Sequence, residues 1–275
     1  MLDISSKIFL DYNPLQGKVA DGRIFKTQQP SVAMTPWVQS YWQLTVPKGL
    51  FHYHSVPDNC VDWIINLDCF EDNFLIPPFL SSTVFHIDGP GSFFAIRFRV
   101  LGHKSLISVP LGEWGELGMI KAEDVLPREV LYSVFDTIHR AEHFDKRCRN
   151  LSALLLSVIK LPEIDPRLGN FIRFCYENIG SHLDLSDGQS SEFGVSARQL
   201  RRLAKQHVGL SPKDFYQVIR FQNTLKTMKA WPQNKAYLDH YYDQPHFARE
   251  FKRLSGVTPT QFRNMSVLYN HDSYE

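Results

Sequence analysis

The chain has 275 residues, 43% of them hydrophobic, and a formal net charge of +1, enough length and apolar content for one large or two ordinary folded domains with real cores. The start, MLDISSKIFLDYN, carries acids where a secretory signal needs a basic segment, and no stretch approaches the ~18 uncharged apolar residues of a membrane span, so a soluble cytoplasmic protein with no membrane partner is expected. Cys60, Cys69, Cys148 and Cys175 lack CxxC spacing, which argues against a zinc knuckle or a disulfide frame.

The first hundred residues alternate as strands do. Trp42, Leu44 and Val46 share one phase; Val61, Trp63, Ile65 and Leu67 do likewise, as do Phe94, Ile96 and Phe98, with Pro-Lys-Gly, Pro-Pro and Asp-Gly-Pro-Gly as punctuation. This predicts a β-rich barrel or sandwich. Within it, FHYHSVPDNCVDWIIN (51–66) places His52 and His54 one residue apart, and strand alternation puts both on one face whether or not a metal is present. A metal site would also need a nearby carboxylate and a further imidazole. Asp58 falls in a Pro-Asp-Asn turn and His86 is the one obvious distant partner, so no metal is assigned. A polar strand face, open to lining a ligand cavity, is expected.

After Pro127 the period changes. Val130, Leu131, Val134, Phe135 and Ile138 fit one helix face, and Leu151, Leu154, Leu155, Val158 and Ile159 fit a second. HRAEH (139–143) matches the HxxEH metalloprotease spacing, with its histidines at i and i+4 of a helix. Two ligands do not make a site, and an exposed charged helix end is expected. No Gly-rich phosphate loop and no GxSxG elbow occurs, so no catalytic residue and no cofactor is assigned.

Leu161-Pro-Glu-Ile-Asp-Pro166 interrupts the pattern, with Asp165 placed as an N-cap and Pro166 at the first helical position. The expected division is 1–162, a β-rich sensing or assembly domain with trailing helices, and 163–275, an all-helical domain; the class is α+β. Beyond the boundary Leu168, Phe171, Ile172, Cys175 and Ile179 make an amphipathic helix. Ser196 then caps ARQLRRLAKQHV up to Gly209, Ser211-Pro212 opens the long KDFYQVIRFQNTLKTMKA, and Asp243 caps QPHFAREFKRLS up to Gly256. Charge separates in the same way. Residues 195–265 hold thirteen Lys or Arg against four Asp or Glu, a balance of +9, and the remainder is −8. A basic segment beside an acidic partner domain suits a nucleic-acid binder with a separate sensing domain.

VSARQLRRLAKQHVGLSPKDFYQVIRFQNTL (195–225) and YYDQPHFAREFKRLSGVTPTQFR (241–263) together resemble the AraC family of bacterial transcription regulators over about a hundred residues. The resemblance implies seven helices, forming two helix-turn-helix units joined by one long helix. VPDNCVDWIINL (56–67) and AIRFRVLG (95–102) look like the sensing domain of one branch of that family, although Val100-Leu101-Gly102 stands where the branch has Pro-Gly. Implied partners are double-stranded DNA, a small-molecule effector, a second copy of the chain and RNA polymerase.

On this reading Arg198, Arg201 and Arg202 face base edges and Lys205 faces phosphate in the first unit, because the second helix of such a unit enters the major groove. In the second unit Gln244 and His246 offer hydrogen bonds to bases, with capping and packing as their alternative roles. Arg249 reaches base or backbone, and Lys252 and Arg253 suit phosphates. Trp42, His52, His54, Trp63 and Arg97 are the candidate ligand residues of the β domain. The chain departs from the family at Gln189-Ser190, where a Leu-Ala pair is usual, at Ala204 in place of an aromatic, at Lys235 in place of an aliphatic, at Trp231-Pro232 and at His240 in place of a turn glycine. These departures weaken the supporting helices and leave the basic faces intact. Two other functions therefore stand beside the regulator: a protein-interaction adaptor with weak or no DNA binding, and a metal-dependent enzyme on the barrel.

Overall fold

The β-rich region is built on one long ribbon. Strand β2 (Val38–Ser55) pairs antiparallel with β5 (Thr83–Phe98) along its length, and β1 (Phe25–Gln28), β3 (Val61–Asn66), β4 (Asn73–Ile76) and β6 (Ile120–Lys121) complete one antiparallel sheet in the order β1-β2-β5-β3-β4-β6. The computed structural model of the chain describes residues 7–15, 24–114, 119–180, 183, 186–231 and 235–264. Pro232 and the opening MLDISS, both used in the sequence reading, lie outside the described residues.

The expected barrel or sandwich takes the form of this sheet doubled over on itself. Trp42 and Tyr53 sit on the same strand, where a straight run between them would span ~36 Å, yet their rings stack with centroids 6.3 Å apart. The fold-back is at Pro47-Lys48-Gly49, where the β2–β5 register shifts and Gly49 takes a φ of +102° that favours glycine. Opposite it, a Cβ on Gly89 would collide with the Pro47 carbonyl. The two phases of the strand pattern fill two cores. Trp63, Ile65, Phe94, Ile96 and Phe98 pack against helices α2 (Arg128–His139) and α3 (Phe144–Val158), which follow the short α1 (Lys7–Leu10) in chain order, through Leu131, Val134, Ile138, Leu151 and Leu155. Trp42, Leu44, Ile64, Ile76 and Ala95 face the folded-over half, with Tyr53.

HRAEH does not lie on one helix. His139 ends α2 with its ring stacked on Phe135, and His143 is the extended N-cap residue of α3, so the i and i+4 geometry the spacing suggested is absent. The helix breaks because Arg147 of α3 donates to the Ile138 and Ala141 carbonyls at 3.1 and 2.8 Å, satisfying the end of α2.

Past residues 159–165 the elements of the described residues are helical: α4 (Pro166–Glu177), α5 (Asp187–Glu192), α6 (Ala197–Val208), α7 (Pro212–Ala230), a 3-10 turn (Ala236–His240), α8 (Gln244–Ser255) and α9 (Pro259–Asn264). The capping residues act as their types predict. Asp165, Ser196, Ser211 and Asp243 accept hydrogen bonds from the backbone N–H of Arg167, Gln199, Asp214 and His246, and Gly209 and Gly256 end α6 and α8 at φ +78° and +77°.

The cores of this helical part are not its own alone. Val100 and Leu101 join the core of α4, α6 and α7, while Leu15 and Val56 join the core of α7 and α8. A buried polar clamp reinforces the contact. Gln222 of α7, fully buried, donates to the carbonyls of Leu15 at 3.0 Å and Pro57 at 2.6 Å and accepts from the Leu15 N–H, and the Asn59 amide donates to the Phe215 carbonyl at 3.0 Å. Burying the Gln222 amide this deeply is tolerable because its donor and acceptor are both satisfied.

Candidate nucleic-acid interface and effector cavity

On α6, Leu200, Leu203, Ala204 and Val208 are buried, and Arg198, Arg201, Arg202 and Lys205 form an exposed stripe at i, i+3, i+4 and i+7. Ala204, where the sequence comparison expects an aromatic, is fully buried in a core that includes Phe171 and Phe215. Two of the cations have local acceptors: Arg202 donates to Gln206 at 3.4 Å, and Lys205 donates to the Gly209 carbonyl at 3.2 Å. The supporting helix α5 contains a defect. Ser190 is fully buried, and among the described residues neither its hydroxyl nor the buried Gln189 Oε1 has a hydrogen-bond partner.

In the second unit the supporting element among the described residues is the 3-10 turn (Ala236–His240). Lys235 precedes that turn and lines a groove of about 510 Å³ together with Gln244, Arg249, Lys252 and Thr260. The aliphatic-to-lysine change thus adds a cation to the basic face, a role that residue type alone did not assign. Gln244, Arg249, Lys252 and Arg253 are exposed. His246 has local neighbours consistent with its capping and packing alternative: its ring lies 5.9 Å from that of Tyr241, its Nδ1 faces the Tyr242 N–H and its Nε2 is 3.7 Å from Glu250, with its side chain 38% exposed. Arg253 is engaged too, donating to Gln217 at 3.0 Å and to the Leu80 carbonyl at 3.4 Å.

Both recognition helices are tied to α7. Arg220 reaches both Glu250 oxygens at 2.7 Å with side chains 14% and 5% exposed, and its guanidinium lies 4.7 Å from the centre of the Tyr241 ring. With ~1.5 Å rise per residue, α7 spans ~28 Å, comparable to the ~34 Å turn that separates successive major-groove faces. His240, replacing the turn glycine, packs where a Cβ on Gly180 would collide with its ring, and Gly180 has a φ of +94°.

The doubled sheet encloses a second feature, a cavity of about 320 Å³ whose wall includes Trp42, Tyr53, Ile64, Phe79 and Phe85. Its polar end is Arg97, which donates to Asp62 through Nε at 3.0 Å and Nη2 at 2.7 Å and pairs with Asp58 through Nη1 at 3.2 Å; Trp42 donates its indole N–H to Asp62 at 3.1 Å. The two carboxylates outweigh the cost of burial and hold the Arg97 pKa well above its ordinary value. Of the five candidate ligand residues, Trp42 and Arg97 line this cavity. The other three do not. Trp63 faces the opposite core and donates to Asn73 at 3.3 Å, and His52 and His54 project outward on either side of buried Tyr53, with His52 edge-on to His86 at 4.7 Å. Alternation predicted the shared face of the histidines; which face turned to solvent was settled by the fold-back. Among the described residues no group of three His, Cys, Asp or Glu side chains could hold a metal ion, and no helix is long and apolar enough to cross a membrane.

Residues 189–265 match a helix-turn-helix domain family, and residues 26–118 match a domain of unknown function (DUF6597). No curated protein matches the chain. Solved structures that resemble it include an apo single-site variant of ToxT from Vibrio cholerae, at 14% identity over 92% of this chain and 96% of that one with a TM-score of 0.42. ToxT in a second crystal form matches at 13% identity over 87% and 98% with a TM-score of 0.42, and unsaturated fatty acid bound ToxT at 12% over 88% and 94% with a TM-score of 0.39. Residues 189–265, with two capped, Gly-terminated helices joined by one long helix, thus carry a helix-turn-helix domain.

Proposed function

We propose that the protein is a sequence-specific, DNA-binding transcription regulator acting in the cytoplasm, with residues 163–275 as the DNA-binding domain and 1–162 as the sensing domain. The observation that carries this reading is the pair of exposed basic faces, Arg198–Arg201–Arg202–Lys205 and Gln244–Arg249–Lys252, on two helices anchored to one connecting helix. Arg198 and Arg201 read base edges, Lys205 and Lys252 meet phosphates, and Lys235 adds a phosphate contact beside Arg249. Arg253, held against Leu80, reports on the sensing domain as well as on DNA.

Effector control is part of the proposal. Segment 77–82 runs from the cavity to the C-terminal ends of both recognition helices: Phe79 lines the cavity, a Cβ on Gly209 would stand 3.9 Å from Pro78, one on Gly256 would collide with the Ser82 hydroxyl, and the Leu80 carbonyl holds Arg253. A ligand that moves Phe79 therefore acts on both helix ends. Dimer formation and contact with RNA polymerase belong to the same reading and are checked by sedimentation and by transcription in vitro.

The test is selection of bound fragments from genomic DNA, followed by titration of the best fragment and of random DNA across salt. A steep salt slope with preference for the selected fragment is expected. Equal, weak binding to both overturns the regulator and leaves the adaptor, which the partnerless polar atoms of α5 and the short second support favour.

A further inference from the structure

We infer that the cavity between the two halves of the doubled sheet takes an organic cation, an ammonium carried on an aromatic or aliphatic body, and discriminates against carboxylates. The inference rests on the effector-control reading and adds the ligand's chemical class to it. A cavity of about 320 Å³ suits a compact ligand, since small-molecule sites begin near ~300 Å³. Its wall is apolar and aromatic, through Trp42, Tyr53, Phe74, Phe85 and Phe93, and aromatic faces attract cations.

Charge at the polar end decides the sign of the ligand. An arginine at the base of an apolar cavity ordinarily suggests an anion, but each of the three nitrogens of Arg97 already meets a carboxylate oxygen, two from Asp62 and one from Asp58. The triad of Asp58, Asp62 and Arg97 carries a net charge of −1. An incoming carboxylate would have to displace one of the pair and then sit beside both. A cation meets Asp62, whose side chain is 14% exposed where that of Arg97 is 4%, so the accessible member of the triad is the acid. Asp72 and Asp88 also stand among the lining residues, toward the fold-back and away from Arg97 in register, so the carboxylates of the lining outnumber its one guanidinium.

The probes are 1-naphthylmethylamine, 1-naphthylmethanol and 1-naphthoic acid, matched in body and differing in charge, titrated calorimetrically into the full chain at neutral pH and low salt. The amine is expected to bind about tenfold more tightly than the alcohol, and the acid most weakly. In the Asp72→Asn variant the amine should lose about threefold in affinity and the alcohol nothing. The wild-type series alone decides the matter if that variant folds poorly. Equal affinities, a preference for the acid, or no binding of any probe overturns the inference. DNA binding measured without probes tests the regulator separately, so a failure here does not read as a failure there.

Discussion

The two helix-turn-helix units hold their recognition helices in different ways. In the first, α6 lies on an apolar core with Phe171, Phe193 and Phe215, and its short support α5 buries a serine hydroxyl and a glutamine carbonyl that find no partner among the described residues. In the second, α8 packs its own Phe247 and Phe251 against Phe221 and Phe262, with edge-to-face ring pairs 5.3 to 5.5 Å apart, and is tied to α7 by the Arg220–Glu250 pair. The contrast teaches that the two units fail differently. Polar atoms without partners are a standing cost that an apolar side chain removes, whereas a buried ion pair becomes costly only when one half is taken away.

The largest expected effect is therefore on the second unit. Glu250→Ala leaves the Arg220 guanidinium buried without its carboxylate, for a loss of ~3–5 kcal/mol of stability. Thermal unfolding measures this, and a footprint that contracts to the first half-site shows that α8 has lost its seating. A paired replacement, Arg220→Met with Glu250→Leu, is expected to recover most of the stability; no recovery would mean the pair is more than a tie between two helices.

The complementary change sharpens the first unit. Gln189→Leu with Ser190→Ala is expected to raise stability by ~1–3 kcal/mol, the usual cost of an unsatisfied buried polar group, and to raise DNA affinity with little change in salt slope, because the phosphate contacts are the same. A fall in stability would contradict the absence of hydrogen-bond partners. Higher stability with unchanged affinity would mean that the first unit does not engage DNA.

Arg201→Ala probes contact rather than support. Loss of a bidentate base contact weakens cognate binding by ~1–3 kcal/mol and relaxes preference at one base pair; equal loss on random DNA would assign Arg201 to phosphate. The smallest effect belongs to the outward strand face. His52→Gln with His54→Gln is expected to leave metal content and DNA binding unchanged, since both imidazoles project away from the cavity. Stoichiometric zinc, iron or nickel lost in the double variant would reopen the metal-dependent enzyme.

Much of the helical part was legible because helix ends are local. Ser196, Ser211 and Asp243 cap through side chains that reach the residue three positions on, and Gly209 and Gly256 end helices by their own backbone freedom. The basic stripe of α6 is likewise a matter of period. His246 was ambiguous for another reason: capping, packing and base contact use the same ring, and its neighbours Tyr241 and Glu250 leave that ring partly exposed. In the β region the two strand phases were visible, but the assignment of His52, His54 and Trp63 to a cavity failed because alternation states which residues share a face and not which face is enclosed.

The sequence by itself determined the element types, the caps, the charge division and the family likeness, since each depends on neighbours a few residues apart or on composition. Tertiary structure alone decided that β2 doubles back at Gly49, that Arg97 spends its nitrogens on Asp58 and Asp62, that Gln222 clamps Leu15 and Pro57, and that segment 77–82 touches the ends of both recognition helices. Those contacts join residues remote in the chain, and their free energy comes from desolvating groups together, which no local pattern encodes.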